Sequence, residues 1–280
     1  MRQIILIDPI EKLTIEKDST IYFSNTLKKS GVELIYLFKE DFNISTSEKW
    51  TLKGHRPEFE ELNGTVVSVN LIAEDFNFAS GDILHMRLEP PFDISYLRVL
   101  WMLDFLKRDN VSVINDPKGI MNFQEKVYPL SHRDSIPSAI IQKYDQLESF
   151  ISKNKLVTEF IFKPLDLFQG LGVTKVLKRD INKEFFENIK NSFNGMVLVQ
   201  PFISKIISGE IRSIYYAGQE IGSIVKVPPK GSFLANIAQG ATFEKVNLTK
   251  SEKRICDDFS KELLKNGVPW VAFDILDGKI

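Results

Sequence analysis

The segment QIILIDPIEKLTIEKDSTIYFSNTLKKSGVELIYLF (residues 3–38) decides the fold class. Its first apolar run, QIILI, predicts a buried strand. The segment DSTIYFSNTLKKSG predicts a helix, with Asp18 or Ser19 as the N-cap and Gly31 at the end. The run VELIYLF predicts a second strand. Strand, helix and strand in this order are typical of a βαβ unit in a parallel sheet.

The rest of the chain predicts three domains. Residues 1–122 continue as an α/β domain, in which residues 39–81 predict a loop with one or two strands, TVVSVNLIA being the clearest. Residues 123–200 predict a small α+β unit. Residues 201–280 open with two strands around an Ala-Gly turn and continue into a long helix and a last strand.

Two local signals stand out in the third domain. Thr249 and Glu252 form a capping box at the start of the long helix. Asp277-Gly278 follows the apolar run VAFDIL and predicts a hairpin turn, after which only two residues are left for a return strand. We therefore expect the edge of the last sheet to be unpaired.

Composition excludes several classes of protein. The 280 residues carry 36 Lys and Arg against 37 Asp and Glu, and this balance gives no strong field for nucleic acid or an anionic membrane. The apolar runs are strand-sized, and the N-terminus predicts a strand and not a signal peptide. The single cysteine, Cys256, excludes an internal disulfide and leaves no ligand cluster for zinc. We expect a soluble cytosolic protein.

Two lysines are candidate phosphate ligands. Lys126 lies in NFQEKVYPL, and Lys163 ends the predicted strand TEFIFKP, beside the glycine-containing loop LDLFQGLG. Backbone N–H groups and an ammonium can surround a phosphate at such a place. Taken singly, both residues are also compatible with exposed surface lysines. The sequence has neither a Walker P-loop nor a full GxGxxG motif.

A third candidate feature is the stretch VLVQPFISKIISGEIRSIYY. A strand leads into a Gln-Pro-aromatic linker whose backbone groups suit an adenine edge. Glu210 is placed to accept hydrogen bonds from ribose hydroxyls, and Arg212 to stabilise charge on a reacting phosphate or carboxyl group. The alternative is an ordinary interdomain linker with a surface ion pair.

Asp274 lies in the apolar strand VAFDIL, where an unpartnered carboxylate is costly to bury. A metal ion is one partner that would offset this cost. A backbone group or an arginine is the other, and the sequence leaves both open.

The order of these pieces resembles the ATP-grasp superfamily and, within it, the bacterial glutathione synthetase family. The resemblance covers essentially all 280 residues. The most specific element is MRLEPPFD (Met86–Asp93), because long strings with a Pro-Pro rarely match by chance. QEKVY, IFKPLD, QPFI, ANIAQG and AFDIL are similar to further family segments.

The resemblance implies an N-terminal α/β pre-ATP-grasp domain followed by an ATP-grasp fold made of a lid and an incomplete C-terminal half. It implies that ATP phosphorylates the C-terminal carboxylate of γ-glutamylcysteine and that the amine of glycine attacks the acyl phosphate, giving glutathione. It also implies Mg²⁺, with Mn²⁺ as an alternative, and a homotetramer.

The resemblance assigns roles residue by residue. The implied site residues are Lys126 and Lys163 for phosphates; Gln200, Pro201, Phe202 and Ile203 for adenine; Glu210 for ribose; Arg212, Lys226 and Asn236 for the reaction centre; Asp18, Ser19 and Arg87 for the dipeptide; and Asp274 for magnesium.

The sequence departs from the family pattern at two internal places. The lid loop (residues 165–172, LDLFQGLG) carries Leu167, Phe168 and Leu171 among its glycines, and we expect a bulkier loop to close less well. Leu234 stands where the family usually has an arginine, so a cation near the transferred phosphoryl group is lost unless Lys230 or Lys226 replaces it.

The third departure lies at the C-terminus. In the family, the strand after the last turn carries a Glu and an Asn that bind magnesium, and a substrate segment follows. The present chain ends at Ile280. The sequence therefore suggests a partial form of a longer enzyme, or a divergent member that binds nucleotide and turns over poorly. An ATP-grasp ligase that joins other carboxylates and amines is the further alternative.

Overall fold

The computed structural model describes residues 2–43 and 52–280. The chain forms two compact units, Met1–Pro90 with Ile94–Met121, and Pro91–Asp93 with Asn122–Ile280. The division into three domains stays a prediction. Among the helices that the structure describes, none combines the length and apolarity that a bilayer span requires.

The first unit is built on a six-stranded sheet in the order β4-β3-β2-β1-β5-β6. Strands β1, β2, β5 and β6 are parallel, and β3 and β4 join antiparallel at one edge. The elements are β1 (Gln3–Leu6), α1 (Ser19–Lys29), β2 (Leu34–Leu37), β3 (Leu52–Leu62), β4 (Thr65–Phe76), β5 (Ile83–Met86), α2 (Ile94–Leu106), β6 (Ser112–Ile114) and, at the boundary of the unit, α3 (Pro117–Asn122).

The predicted βαβ unit is confirmed. Strands β1 and β2 pair in parallel, and every residue of both is buried, as expected for central parallel strands covered on both faces. Asp18, and not Ser19, is the N-cap of α1, because its carboxylate accepts hydrogen bonds from the N–H groups of Thr20 (2.8 Å) and Ile21 (3.0 Å). Gly31 follows the helix with a φ of +78°.

Residues 39–81 contain more regular structure than the sequence analysis predicted. Strands β3 and β4 form a long antiparallel hairpin around Asn63 and Gly64, whose φ angles are +52° and +81°. An Asn-Gly pair favours this left-handed turn, and the sequence analysis missed the signal. Part of this prediction, residues 44–51, lies outside the described residues.

The second unit contains two four-stranded antiparallel sheets, in the orders β7-β10-β8-β9 and β13-β12-β11-β14. Its elements are β7 (Ala139–Ile141), α4 (Tyr144–Lys153), β8 (Glu159–Lys163), β9 (Thr174–Leu177), α5 (Lys183–Ser192), β10 (Val197–Pro201), β11 (Glu210–Tyr216), β12 (Gln219–Val227), β13 (Thr242–Val246), α6 (Lys250–Lys265) and β14 (Trp270–Ile275). Segment Pro91–Asp93 joins this unit, where Phe92 N–H donates to the carbonyl of Asp166 at 2.9 Å.

Each of these two sheets has its own core. Phe160, Phe162 and Phe186 fill the first, under α4 and α5. Tyr215 and Phe259 are central to the second, under α6. Helices cover one face of each sheet, so charged side chains of the strands lie on the opposite face.

The 3₁₀ turns complete the list of elements. They are Ile10–Lys12, Ile15–Lys17, Lys39–Asp41, Lys107–Asp109, Tyr128–Ser131, Lys178–Asp180, Ser204–Ser208 and Ile237–Gln239.

Both local signals of the third predicted domain are confirmed. The hydroxyl of Thr249 accepts a hydrogen bond from Glu252 N–H, and the Glu252 carboxylate accepts one from Thr249 N–H at 2.9 Å. Asp277 and Gly278 have φ angles of +54° and +71°, and Leu276 pairs with Lys279 across that turn.

We expect Thr249→Ala to lower the free energy of unfolding by about 1 kcal/mol, because both bonds of the capping box depend on its side chain or its cap geometry. Urea denaturation followed by circular dichroism measures this change. Ser251→Ala, which removes an exposed hydroxyl from the first turn of the same helix, is the control. Equal effects of the two substitutions would contradict the prediction.

Candidate functional site

The register of three strands brings four charged residues together. Glu210 and Arg212 are two residues apart on β11, so their side chains share a face of the sheet. Lys226 on β12 lies directly opposite Glu210, and Asp274 on β14 lies directly opposite Arg212. We call these four residues the charge cluster.

The charge cluster is bound by charge-assisted hydrogen bonds. Arg212 binds Asp274 with two of them, Nε to Oδ1 at 2.9 Å and Nη2 to Oδ2 at 2.6 Å. Lys226 Nζ donates to Glu210 Oε2 at 2.7 Å and to Asp274 Oδ1 at 2.9 Å. The side chain of Lys226 is only 2% exposed, and a buried ammonium requires such partners. The cluster is balanced, with two cations and two carboxylates.

The two carboxylates of the cluster have different ionisation properties. Burial and then the charge of Asp274 raise the pKa of Glu210, against the opposing effect of Lys226. Burial also acts to raise the pKa of Asp274, but hydrogen bonds and charge from Arg212 and Lys226 bring it below its ordinary value. Asp274 is therefore the firmly ionised member, and Glu210 is the one that takes up a proton more easily.

Lys163 and Lys126 converge beside this cluster. Burial lowers the pKa of Lys163, Glu210 and Asp274 act to raise it, and Lys126 lowers it further. Lys126 Nζ donates to the carbonyls of Leu165, at 3.2 Å, and Leu167, in the loop that directly follows Lys163. Lys126 Nζ also donates to Glu125 Oε1 at 3.1 Å. Two ammonium groups and one carboxylate leave a net positive charge here, which a polyanion would offset.

The lid loop touches the predicted reaction centre. Gly170 has a φ of +79°, and a Cβ placed there would lie 2.9 Å from Asn236 Oδ1 and 3.3 Å from a methyl carbon of Leu234. Asn236 and Leu234 therefore lie directly under the lid loop. The arginine that the family pattern places at Leu234 is replaced by an apolar contact with the lid loop.

The predicted adenine linker is held by hydrogen bonds to two other segments, at Ser138 and at Glu159. Gln200 Nε2 donates to Ser138 Oγ at 2.7 Å, and Phe202 N–H donates to the carbonyl of Glu159 at 2.9 Å. Pro201 ends β10, and Ile203 is the N-cap of the 3₁₀ turn Ser204–Ser208.

The sequence analysis missed two neighbours of that linker. The ring of Phe233 meets the ring of Phe202 edge-on at 6.0 Å, and Lys175 Nζ lies 4.3 Å above the centre of the Phe202 ring. Lys175 also pairs with Glu159 at 3.0 Å. Nothing in the local sequence connects these residues, because strand pairing and the loop after β12 bring them together.

The first unit brings Asp18, Ser19 and Arg87 together. Arg87 follows β5, and its guanidinium donates to Thr20 Oγ1 at 3.1 Å and to Ser19 Oγ at 3.3 Å. This places a cation at the N-terminus of α1, near the carboxyl ends of the parallel strands β1 and β5. Burial lowers the pKa of Arg87. A helix N-terminus and an arginine together suit an anionic group such as a carboxylate. The sequence analysis missed Thr20.

The described residues do not fit a magnesium ion as they are arranged. Both oxygens of Asp274 accept hydrogen bonds from cationic side chains, and no group of three or more His, Cys, Asp or Glu residues in residues 2–43 and 52–280 could hold a metal. Magnesium prefers octahedral oxygen coordination. The arginine partner that the sequence left open for Asp274 is present, and the metal role stays a prediction.

Comparison with protein families matches nearly the whole chain. Residues 1–121 match the N-terminal domain of prokaryotic glutathione synthetase, and residues 125–280 match the ATP-grasp domain of the same family. The chain belongs to the prokaryotic glutathione synthetase family. This membership confirms the predicted family, the predicted fold class and the enzyme class, an ATP-dependent carboxylate–amine ligase.

Curated relatives agree with this assignment. Glutathione synthetase of Prochlorococcus marinus subsp. pastoris is 28% identical over 279 residues, which cover 99% of this chain and 88% of the relative. That of Coxiella burnetii is 27% identical over 276 residues, which cover 97% and 84%.

Solved structures show the same fold. D-cycloserine synthetase DcsG superposes with a TM-score of 0.70 at 12% identity, covering 99% of this chain and 88% of that one. D-alanyl-alanine synthetase A from Vibrio cholerae gives a TM-score of 0.61 at 14% identity, with 98% and 84% covered.

We expect Gly170→Ala to lower kcat for ATP-dependent phosphate release at least about tenfold, because its Cβ would displace Asn236 or the lid loop. Gly195→Ala is the matched control. Gly195 also has a positive φ, +91°, and no atom lies within 4 Å of its added Cβ. Both substitutions cost about 1 kcal/mol of backbone strain, so Gly195→Ala controls for that part of the effect. A kcat ratio near one between them would contradict the prediction.

Proposed function

We propose that this chain uses ATP to join γ-glutamylcysteine and glycine into glutathione through an acyl phosphate. One observation carries the proposal within the family: Lys126 and Lys163 converge beside the balanced charge cluster of Glu210, Arg212, Lys226 and Asp274. Glu125 pairs with Lys126 Nζ at 3.1 Å, so two ammonium groups and one carboxylate stand beside the neutral cluster. They leave a net positive charge, which suits a triphosphate.

The chemistry has two steps. In the first, a carboxylate oxygen of γ-glutamylcysteine attacks the γ-phosphorus of ATP, the bond to ADP breaks, and an acyl phosphate forms. In the second, the amine of glycine attacks the acyl carbon, phosphate leaves, and the amine gives up a proton as the amide forms. Neither step requires a covalent bond to the protein. The protein therefore contributes by positioning the substrates and by stabilising charge.

The described residues supply these functions as follows. Lys126 and Lys163 hold the phosphates of ATP and offset their repulsion of the attacking carboxylate. Glu210 accepts hydrogen bonds from the ribose hydroxyls with the oxygen that Lys226 does not bind. Arg212 and Lys226 stabilise the negative charge on the transferred group.

Three further groups of residues have proposed roles, two in the second unit and one in the first. Asn236, under the lid loop, orients the acyl phosphate. The linker residues Gln200, Pro201, Phe202 and Ile203 hold the adenine. Arg87, Ser19 and Asp18 hold a carboxylate of the dipeptide at the N-terminus of α1.

Three further features stay predictions of the family resemblance. They are Mg²⁺ as cofactor, with Mn²⁺ as the alternative, a cytoplasmic location and a homotetramer. Asp274 is bound by Arg212 and Lys226, so neither of the two chemical steps is assigned to a metal.

Phosphate release with each substrate omitted in turn tests the proposal. We expect release and a tripeptide product, identified by mass, only when ATP, γ-glutamylcysteine and glycine are all present. Other amino-acid acceptors in place of glycine should give less than a tenth of the rate. Release that ignores both the dipeptide and glycine would overturn the proposal, and faster turnover with another acceptor would replace it with a ligase of other specificity.

One observation favours a second candidate, a nucleotide-binding protein without turnover. Both oxygens of Asp274 are engaged by Arg212 and Lys226, so this carboxylate is not open to a metal in the present arrangement. Calorimetry that shows ATP binding, together with no phosphate release under any substrate combination, would support this candidate over the ligase.

A further inference from the structure

The side chain of Gln124 joins two segments of the second unit. Its Oε1 accepts hydrogen bonds from the N–H groups of Lys126, at 2.7 Å, and Val127, at 2.9 Å. Its Nε2 donates to the carbonyl of Leu165 at 2.8 Å. All three bonds have good lengths for amide hydrogen bonds.

The two joined segments carry the two candidate phosphate lysines. Lys126 lies in the turn that starts at Gln124, where Val127 N–H and Tyr128 N–H also donate to the Gln124 carbonyl. Leu165 lies two residues after Lys163. The same Leu165 carbonyl accepts a bond from Lys126 Nζ, at 3.2 Å, so the Gln124 amide and the Lys126 ammonium converge on one acceptor.

We propose that Gln124 is a positioning residue, which holds the ammonium of Lys126 close to Lys163 for phosphate binding. This inference rests on the proposed function, because it takes the two lysines as ATP ligands. The ammonium of Lys126 is bound by Glu125 at 3.1 Å and by the carbonyls of Leu165 and Leu167. Gln124 fixes the backbone of the turn from which this ammonium reaches them, because its side chain joins that turn to Leu165.

The chemistry of the site selects an amide side chain. The constraint needs an acceptor for two N–H groups and a donor for one carbonyl. An amide side chain offers both without charge and on two separate atoms, so it can join two segments. Asparagine is one methylene shorter, so it would lose either the N–H groups of Lys126 and Val127 or the carbonyl of Leu165. A glutamate would keep the two accepted bonds but would turn an oxygen towards the carbonyl of Leu165.

The test compares ATP with adenosine as ligands of Gln124→Met, measured by calorimetry. Methionine keeps the length and neutrality of glutamine and removes its hydrogen bonds. We expect the affinity for ATP to fall about tenfold, in line with the loss of hydrogen bonds that hold a charged group, while the affinity for adenosine stays within twofold. A purely structural role would leave the ratio of the two affinities unchanged, even if it lowered the fraction of folded protein.

Gln146→Met is the matched control. Gln146 Oε1 also accepts hydrogen bonds from two N–H groups, those of Gln142 and Lys143, at 3.0 and 3.1 Å, at the N-terminus of α4. We expect this variant to keep the wild-type ratio of ATP to adenosine affinity. Gln124→Glu is a second variant, which retains the acceptor bonds that shape the turn, and it should also lower the ratio.

Lys126→Met separates this inference from the proposed function. If Lys126→Met weakens ATP binding and Gln124→Met keeps the wild-type ratio, the role of Gln124 is overturned while the phosphate role of Lys126 stands. If Lys126→Met leaves ATP binding unchanged, the proposed function itself loses its phosphate site, and the inference falls with it.

Discussion

The candidate site depends on a buried ammonium that bridges two carboxylates. Lys226 binds Glu210 and Asp274 at once, and Arg212 closes the cluster by a bidentate bond to Asp274. Burying any of these charges alone would be costly, so each one requires the others. This mutual requirement fixes the positions of Glu210 and Arg212 on one face of β11. Lys126, which pairs with Glu125, and Lys163 then leave a net positive charge beside a neutral surface, which suits an anion.

The architecture gives each chemical task to an element that can hold it in place. Antiparallel strands present the charge cluster, the end of β8 presents Lys163, and a turn tied by Gln124 presents Lys126. In the first unit, parallel strands and the start of α1 present Arg87 and the N-cap. Phosphoryl transfer demands little covalent chemistry of a protein, and such a division of labour is consistent with that demand.

Much of the fold follows from local sequence signals. The N-cap at Asp18, the capping box at Thr249 and the turn at Asp277 all rest on short-range hydrogen bonds or φ preferences, and all were predictable. The site was predictable only through the family resemblance. The pairing of Lys226 with Glu210 depends on strand register, and the bond from Gln124 to Leu165 joins residues far apart in the chain. Local sequence patterns carry no information about the strand register or about the bond from Gln124 to Leu165. The turn at Asn63-Gly64 was missed although its signal is local.

A double-mutant cycle between Lys226 and Glu210 tests the central constraint most directly. The free energy of unfolding is measured for the wild type, Lys226→Met, Glu210→Gln and the double variant. The account predicts that Lys226→Met alone costs about 3 kcal/mol or more, because it leaves Glu210 without the cation that binds it. It also predicts a coupling energy above about 1 kcal/mol, so that the double variant is less destabilised than the sum of the single ones. Additive effects would show that the two residues do not depend on each other and would contradict the account.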